Sequence, residues 1–331
     1  MPDRLRVVTI GGGTGQFTVL TGLKKYPELD ITAIVSMADD GGSTGILRDE
    51  YGVLPPGDIR QCLVALSEAD TELRELFSFR FKGGSLHGHS FGNVFLAALE
   101  QMTGSFVEGL DRVGQILKIR GAVLPVTLDK VRLVTELGTG KKVAGQHNLE
   151  AFFLPSQDKV VRMRYDKTAR PNPKVLDAIA KADLIVVGPG SFYTSLVPLF
   201  IVPSVGRALR KAKGKKVYVA NLINKFGQTE GWSVHDHVRE LEGWIGGPTF
   251  DTVLYSTTKP ASSFVKKYEG EGALVPLGKR RLGIHYAAVG RPLLSSAVVA
   301  PKAGDTLAGT RSYIRHDPGK LARALVSLIW N

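Results

Sequence analysis

The sequence predicts an α/β protein with a Rossmann-like, doubly wound and mostly parallel sheet and a small antiparallel β insertion. Short apolar runs of strand type alternate with segments of helical periodicity along most of the chain. Several of these runs end in glycine-rich loops, as parallel strands do at the sheet edge where ligands bind. The 331 residues, 43% of them hydrophobic, are enough for one large domain covering residues 1–331.

Strands and helices alternate at both ends of the chain. Leu5–Ile10 is an apolar strand, Gln16–Lys25 has helical spacing, and Ile31–Met37 is a second strand. Residues 71–80 and 91–118 are mostly helical in pattern. The later strands are predicted at Leu184–Val187, Val217–Ala220 and Thr252–Tyr255, and the later helices at Lys174–Ala182, Val205–Lys211, Val234–Trp244 and Lys320–Ile329.

Two segments interrupt this alternation. From about residue 120 to 168, short β runs surround the turn Gly138–Lys141, which predicts an antiparallel β-rich insertion. Residues 283–310 are rich in glycine, alanine and proline and predict an irregular insertion. Both are expected to belong to the same single domain.

Charge and cysteine content narrow the classes of partner. The formal net charge is +12, but the basic residues are scattered, so nucleic acid is not the expected partner. The single cysteine, Cys62, excludes an intramolecular disulfide, and its apolar helical surroundings predict a buried structural thiol.

Leu184–Gly206 carries no charge, yet its glycines and prolines favour a buried strand and a ligand loop over a membrane span. The N-terminus leads directly into a strand, so a cytoplasmic protein is expected.

The first glycine loop lies between the first strand and the first helix and consists of Gly11, Gly12, Gly13, Thr14 and Gly15. Exposed backbone N–H groups and the positive end of a helix favour a phosphate there. The dinucleotide fingerprint is only approximated, because Gln16 occupies its third glycine position, and the Gly-Lys-Ser/Thr of a P-loop is missing. The loop predicts phosphate binding, with NAD as an alternative ligand.

The second loop follows the second strand and contains Asp39, Asp40, Gly41, Gly42, Ser43, Thr44 and Gly45, with Arg48 nearby. A dinucleotide-binding fold places its ribose-binding acid at this point. Two adjacent carboxylates could instead hold magnesium, and one of them could close an Asx turn that caps a helix. Further along, Asp58 follows a Pro-Pro-Gly turn and is the predicted N-cap of a helix.

Polar residues later in the chain extend the predicted site. His87 and His89 have metal-like spacing, but a zinc site needs more ligands, so no metal site is predicted and His89 is expected to hydrogen-bond with Asn93. A further glycine loop follows an apolar strand and supplies Gly188, Gly190, Ser191 and Tyr193. Asn221 ends the next strand. These loops are expected to face one crevice, because the carboxyl ends of parallel strands lie at one edge of a sheet.

Several of these motifs together resemble the YvcK or GlmR family of gluconeogenesis factors (UPF0052), which belongs to a superfamily with the phospholactyl transferase CofD. The resemblance rests on Ile10–Gly15, Ala38–Arg48, Pro55–Arg60, Gly88–Asn93, Gly188–Ser195 and Ile314–Asp317. It runs in motif order from about residue 5 to 325. Membership would imply the Rossmann-like fold already predicted from the strand pattern.

The resemblance implies a cytoplasmic bacterial protein that binds UDP-N-acetylglucosamine and requires no further cofactor. Such a protein would direct carbon into cell-envelope precursors and so influence cell shape during gluconeogenic growth, with an amino-sugar-synthesis enzyme as a candidate partner. In the family an aromatic residue and an arginine near the C-terminus contact the nucleotide sugar, and Tyr268 and Arg315 match them here. A homo-oligomer is expected.

Three functions therefore compete. The first is a regulator that senses a nucleotide sugar, and the second is a CofD-like transferase that moves a phospho-linked group from an activated nucleotide. The third is an NAD-dependent oxidoreductase, which only the approximate fingerprint suggests. Details of the second loop and of the Pro56–Asp58 segment match the regulator, but whether the protein catalyses a reaction stays open at this point.

Overall fold

The computed structural model describes residues 4–153, 158–266, 272–279, 283–296 and 314–329 and has the predicted α/β class. Its strands are β1 (Leu5–Gly11), β2 (Leu29–Val35), β3 (Ala122–Pro125), β4 (Leu133–Leu137), β5 (Lys142–Ala144), β6 (Val160–Tyr165), β7 (Leu184–Val187), β8 (Lys215–Val219), β9 (Ile223–Lys225), β10 (Thr252–Ser256), β11 (Gly272–Leu274) and β12 (Ala287–Arg291). Its helices are α1 (Gly13–Leu23), α2 (Gly42–Tyr51), α3 (Gly57–Leu66), α4 (Thr71–Ser78), α5 (Phe91–Thr103), α6 (Phe106–Ile116), α7 (Gln146–Phe153), α8 (Pro173–Lys181), α9 (Val197–Phe200), α10 (Val205–Lys211), α11 (Val234–Ile245), α12 (Ser262–Val265) and α13 (Pro318–Ser327). A π-helical turn, Phe192–Leu196, leads into α9.

The central sheet has seven strands within the described part of the chain, in the order β12-β10-β8-β7-β1-β2-β3. Every neighbouring pair in this sheet is parallel. From β1 the chain moves through β2 to β3 in one direction, and from β7 it moves through β8 and β10 to β12 in the other. The order therefore reverses between β1 and β7, which is the topological switch point of a doubly wound sheet.

Helices cover both faces of this sheet. By the right-handed rule for connections between parallel strands, α1 and α3 are expected on one face and α8, α10 and α11 on the other. On the first face α1 packs against both α3 and α13, and on the second α10 packs against α8 and α11. Because both faces are covered, the central strands are largely apolar, and all four residues of β7 are buried.

The uncharged segment Leu184–Gly206 enters the core, as the sequence predicts. It forms β7, the π-helical turn, α9 and the beginning of α10, and most of its side chains are buried. No single helix among the described residues has the length and apolar character needed to cross a membrane. Phe192–Phe200 and Val205–Lys211 reach these limits only as a pair, across a bend of 79°.

The antiparallel insertion is smaller than the sequence suggests. It consists of β5, β4 and β6, paired in that order, with α7 between β5 and β6. The first β run after residue 120 is β3, which pairs in parallel with β2 at the edge of the central sheet. The predicted boundary at residue 120 is thus too early, because strand type alone does not reveal which partner a strand pairs with.

Residues 91–118 are mostly helical, as predicted. They form two helices, α5 and α6, because Gly104 ends α5 in a left-handed conformation and Ser105 caps α6. The supposed irregular insertion at 283–310 begins with an edge strand, β12, which pairs in parallel with β10. Residues 297–310 lie outside the described part of the chain.

The contact between α1 and α13 gives a direct test of this architecture. A side chain at Gly22 would overlap the main-chain carbonyl oxygen of Pro318 and approach Ala322. Gly22→Val should lower the free energy of unfolding by about 1–3 kcal/mol, since neither helix can move away without opening the core. Urea denaturation monitored by circular dichroism measures the change.

Gly243 supplies the matched control for this test. It is an exposed position within α11 where an added methyl group meets no atom within 4 Å. Gly243→Ala should raise the free energy of unfolding by about 0.5–1 kcal/mol through helix propensity alone. If Gly22→Val were as stable as the wild type, the close approach of α1 and α13 would be wrong.

Candidate functional site

The carboxyl ends of β1 and β7 bring two of the predicted glycine loops into contact. The main-chain N–H of Gly188 donates to the carbonyl oxygen of Ile10 (3.0 Å). A side chain at Gly15 would overlap the carbonyl oxygen of Pro189, so the first turn of α1 reaches this loop only because Gly15 has no Cβ. The two loops that the sequence predicts to face one crevice therefore meet at the switch point of the sheet.

The first loop places its residues around the beginning of α1. Gly11 ends β1, Gly12 is the N-cap, and Gly13, Thr14 and Gly15 form the first turn. Gly13 has a φ of +60°, a conformation that suits glycine. Gln16, at the third glycine position of the fingerprint, is buried, and its side-chain amide donates to main-chain carbonyl oxygens of β1 and β2. It ties the two strands together.

Asp58 comes from the neighbouring helix α3 and fills the N-terminus of α1. Its carboxylate accepts a hydrogen bond from the main-chain N–H of Gly13. A side chain at Gly12 would overlap that carboxylate. The prediction that Asp58 caps its own helix is wrong, because Pro56 is the N-cap of α3 and Asp58 lies in its first turn. Tertiary packing of α3 on α1 directs the side chain to a different helix.

The second loop places Asp39 at the N-terminus of α2. Its carboxylate accepts hydrogen bonds from the main-chain N–H of Gly41 (3.1 Å) and from the hydroxyl of Thr44. This is the Asx turn that the sequence offered for one of the two acids. Gly41 is the N-cap of α2, Gly42 begins the helix, and the absence of a side chain at Gly57 leaves room for Asp39.

Asp40 turns away from Asp39 toward the insertion. Its carboxylate accepts a hydrogen bond from the main-chain N–H of His147 (2.9 Å) at the beginning of α7. A side chain at Gly145 would overlap this carboxylate. The two adjacent acids therefore accept hydrogen bonds at the N-termini of two different helices, α2 and α7. Within the described ranges, no group of three or more His, Cys, Asp or Glu side chains is arranged to hold a metal ion.

Burial and mutual repulsion shape the acidity of this cluster. Desolvation, together with the negative charge of Asp39, raises the pKa of Asp58 to about 7. Desolvation also raises the pKa of Asp39, against the opposing hydrogen bonds from Gly41 and Thr44. Glu150 of α7 adds to the negative potential at both acids. Near neutral pH, Asp58 can therefore either hold a proton or accept one.

Ser43, His89 and Asn93 form a buried network behind the second loop. The hydroxyl of Ser43 lies 3.1 Å from Nδ1 of His89 and accepts a hydrogen bond from the amide of Asn93 (3.3 Å). The oxygen of the same amide accepts from Nε of Arg60 (2.9 Å). His89 and Asn93 are thus joined through Ser43, and not directly as the sequence suggested. His87 is exposed, so the two histidines lie in different environments.

Arg48 lies in α2 and contacts the insertion. Its guanidinium donates to the carbonyl oxygen of Val131 (2.7 Å), just before β4, and so ties α2 to the insertion. Desolvation is the main cause that lowers the pKa of this guanidinium, and the negative charge of Asp40 in the second loop acts in the opposite direction.

The loop after β7 is held by Asn221, which lies at the end of the next strand, β8, as the sequence predicted. The side-chain amide of Asn221 donates to the carbonyl oxygen of Gly190 (2.9 Å) and accepts from its N–H (3.3 Å). Tyr193 packs edge-on against Phe192, with ring centroids 4.9 Å apart, and also contacts Trp232. Tyr193 therefore forms part of an aromatic cluster that supports the π-helical turn.

Lys225 and Glu150 are site residues that the sequence analysis missed. Nζ of Lys225 lies 3.2 Å from the hydroxyl of Ser191, and Oε1 of Glu150 lies 4.0 Å from the same Nζ. The hydroxyl of Thr194 donates to Glu150 (3.1 Å). Lys225 follows Asn221 by four residues, so its nearness to the end of β8 is the local signal for it. Glu150 belongs to the insertion and has no such local signal.

The family resemblance assigned Tyr268 and Arg315 to contact with the nucleotide sugar, and the structure describes only Arg315. Arg315 is half-buried, and its carbonyl oxygen accepts from the N–H of Ser295 (2.9 Å). Asp317, two residues later, caps α13 by accepting from the N–H of Lys320 (2.8 Å). Tyr268 lies outside the described residues.

The topology defines a doubly wound α/β protein whose glycine loops after β1 and β7 meet at the switch point of the sheet. The chain belongs to the CofD family, whose model, described as 2-phospho-L-lactate transferase CofD, matches residues 7–278. It is 37% identical to the gluconeogenesis factor of Bacillus subtilis, over 99% of both chains. It is 41% identical to that of Halalkalibacterium halodurans, over 81% of this chain and 82% of that one.

A solved structure supports the same assignment. A crystal structure of a UPF0052 family member from Bacillus halodurans superimposes with a TM-score of 0.87 at 34% sequence identity. The match covers 98% of this chain and 100% of that one. The family and fold inferred from the motifs are therefore confirmed.

The raised pKa of Asp58 predicts a specific dependence of stability on pH. An unfolded aspartic acid titrates near pH 3.9, so between about pH 4 and pH 7 the folded state binds more protons than the unfolded state. Stability should therefore fall as the pH rises through this range. Asp58→Asn removes the buried charge and should raise the free energy of unfolding at pH 8 by on the order of 2 kcal/mol, allowing for solvent in the crevice.

Urea denaturation at pH 4.5 and pH 8 measures this effect. The advantage of Asp58→Asn should nearly disappear at pH 4.5, where the wild-type carboxyl is protonated when folded. Asp177→Asn, an exposed acid on α8, is the matched control and should change stability little at either pH. A variant less stable than the wild type at pH 8 would show that the ionised form of Asp58 stabilises the fold.

Proposed function

We propose that this protein binds a nucleotide sugar, UDP-N-acetylglucosamine, in the crevice between the loops after β1, β2 and β7. It acts in the cytoplasm as a regulator that reports this ligand to an enzyme of amino-sugar synthesis, and so directs carbon into cell-envelope precursors and maintains cell shape during gluconeogenic growth. The observation that carries the proposal is the convergence of two glycine loops at the switch point, with Asn221 fixing Gly190 at its rim.

The chemistry of the crevice suits such a ligand. Asp39 and Asp58 offer carboxylate oxygens that can accept hydrogen bonds from ribose or sugar hydroxyls. Lys225 and Ser191 offer an ammonium group and a hydroxyl for phosphate oxygens. Membership in a family whose relatives are named gluconeogenesis factors supports the link to carbon metabolism.

A transferase is the second candidate, because the matching family model is named for one. In that case Asp58 would be the candidate proton acceptor, since its pKa of about 7 lets it exchange a proton at neutral pH. Magnesium would enter such a reaction together with the phosphates of the nucleotide. The regulator proposal needs neither a proton acceptor nor magnesium, and Asp39 and Asp58 then only bind the ligand.

NAD is less suited to this crevice. In the dinucleotide fingerprint the third glycine allows the helix to pack closely on the strand. Here Gln16 stands at that position, and its amide is engaged by Thr9 and by the main chain of β2. The oxidoreductase hypothesis therefore has no support beyond the first two glycines.

Arg315 gives the test that separates the regulator from the enzyme. An arginine that contacts a nucleotide sugar contributes hydrogen bonds from a charged donor, so Arg315→Ala should weaken UDP-N-acetylglucosamine binding roughly 10- to 100-fold in calorimetry. Arg315→Lys should recover only part of the loss, because lysine restores the charge without the planar fork. Chromatography of the incubated ligand should show that the wild type leaves it intact.

Arg323, exposed on α13, supplies the matched control, and Arg323→Ala should bind as the wild type does. If Arg315 only anchors the C-terminal helix, Arg315→Ala will melt at a lower temperature without ligand and keep its affinity. Steady turnover of the nucleotide sugar by the wild type would contradict the regulator proposal and support the transferase. Growth on gluconeogenic carbon should fail with Arg315→Ala and succeed with Arg323→Ala.

A further inference from the structure

Three helix N-termini at the crevice are already occupied by the protein's own carboxylates. Asp58 accepts from the N–H of Gly13 at α1, and Asp39 accepts from the N–H of Gly41 at α2. Asp40 accepts from the N–H of His147 at α7. A helix N-terminus favours one anion, and a carboxylate satisfies it as a phosphate would. These N-termini therefore offer a phosphate little unless an acid leaves.

A phosphate at the first glycine loop would also meet Asp58 at close range and would repel its ionised form. Asp58 lies against the backbone of Gly12 and Gly13, and Asp39 is near enough to raise its pKa. Like charges at contact distance in a partly desolvated crevice repel strongly. By contrast, hydroxyl groups of a sugar or ribose can donate to both carboxylates. This side of the crevice is suited to neutral hydrogen-bond donors.

The opposite side of the crevice has a different charge balance. There Lys225 reaches the hydroxyl of Ser191, and Asn221 fixes the neighbouring Gly190. One acid, Glu150, faces Lys225 at 4.0 Å, and it is also held by the hydroxyl of Thr194. The ammonium group of Lys225 offsets the charge of Glu150 on this side. Asp39 and Asp58 lie together on the other side, where the negative charge of Asp39 raises the pKa of Asp58.

We propose that the diphosphate of the bound ligand lies against Ser191 and Lys225, with its hydroxyl-bearing ring directed toward Asp39 and Asp58. This inference rests on the proposed function and gives the ligand a direction in the crevice. It also replaces the expectation that the Gly11–Gly15 loop holds the phosphate. The glycines of that loop instead allow Asp58 and the loop after β7 to approach α1.

Calorimetry with inorganic pyrophosphate, UDP and UDP-N-acetylglucosamine tests the proposal on four proteins. Lys225→Met keeps the length of the side chain and removes its charge, and it should weaken all three ligands by a similar factor of about ten or more. Ser191→Ala should weaken them less, since it removes a neutral partner. Lys181→Met, an exposed lysine on α8, is the matched control and should bind as the wild type does. Melting without ligand confirms that each variant is folded.

Asp58→Asn distinguishes the two sides of the crevice. It should weaken UDP-N-acetylglucosamine, whose hydroxyls lose a charged acceptor, and it should change pyrophosphate affinity by less than about threefold. If Asp58→Asn instead raises pyrophosphate affinity tenfold or more while Lys225→Met leaves it unchanged, the phosphate lies at α1 and the proposal is overturned. The same conclusion follows if Lys225→Met binds all three ligands normally.

The outcome also separates this inference from the proposed function. If pyrophosphate binding depends on Lys225 but UDP-N-acetylglucosamine does not bind, the proposed position of the phosphates is supported. The proposal that the ligand is this nucleotide sugar is then wrong. If UDP-N-acetylglucosamine binds independently of Lys225, the proposed ligand is supported and the proposed position of its diphosphate is wrong. If none of the three ligands binds, both are wrong. Repeating each titration with magnesium tests whether the acids act through a metal, in which case Asp58→Asn would weaken pyrophosphate only when magnesium is present.

Discussion

The close approach of the first turn of α1 to the loop after β7 determines where the other parts of the site can lie. Gly15 permits this approach because a side chain there would overlap the carbonyl oxygen of Pro189. The contact fixes two strand ends that are distant in sequence but adjacent in the sheet, with Ile10 opposite Val187. Because the strand order reverses at this pair, the helices diverge to opposite faces and leave a crevice between the loops.

The acids around this crevice are a consequence of that geometry. Diverging helices present their N-termini toward a shared space, and each N-terminus there carries unpaired N–H groups. Asp39, Asp40 and Asp58 satisfy some of these groups from neighbouring elements, at the cost of concentrating negative charge. Raised pKa values at Asp39 and Asp58 are the physical sign of that cost. Such perturbed groups are commonly found where a protein binds or transforms a ligand.

The antiparallel insertion is coupled to the crevice and does not simply decorate the sheet. Its helix α7 begins at the carboxylate of Asp40, and Glu150 of the same helix contacts Thr194 and faces Lys225. Arg48 ties α2 to the chain just before β4. The insertion therefore touches the loops after β2, β7 and β8, and a ligand that changes any of these contacts changes how the insertion is held.

The sequence by itself determined the fold class, the central strands and the glycine loops that line the crevice, because hydrophobic periodicity and glycine placement are local signals. It also determined the family, through motifs that stay contiguous in the chain. Only the tertiary structure decided the partners of individual groups: that Asp58 serves α1, that β3 and β12 join the central sheet, and that Lys225 and Glu150 reach the loop after β7. These pairings join residues far apart in sequence, and the relative positions of packed helices and strands, which no local pattern specifies, decide them.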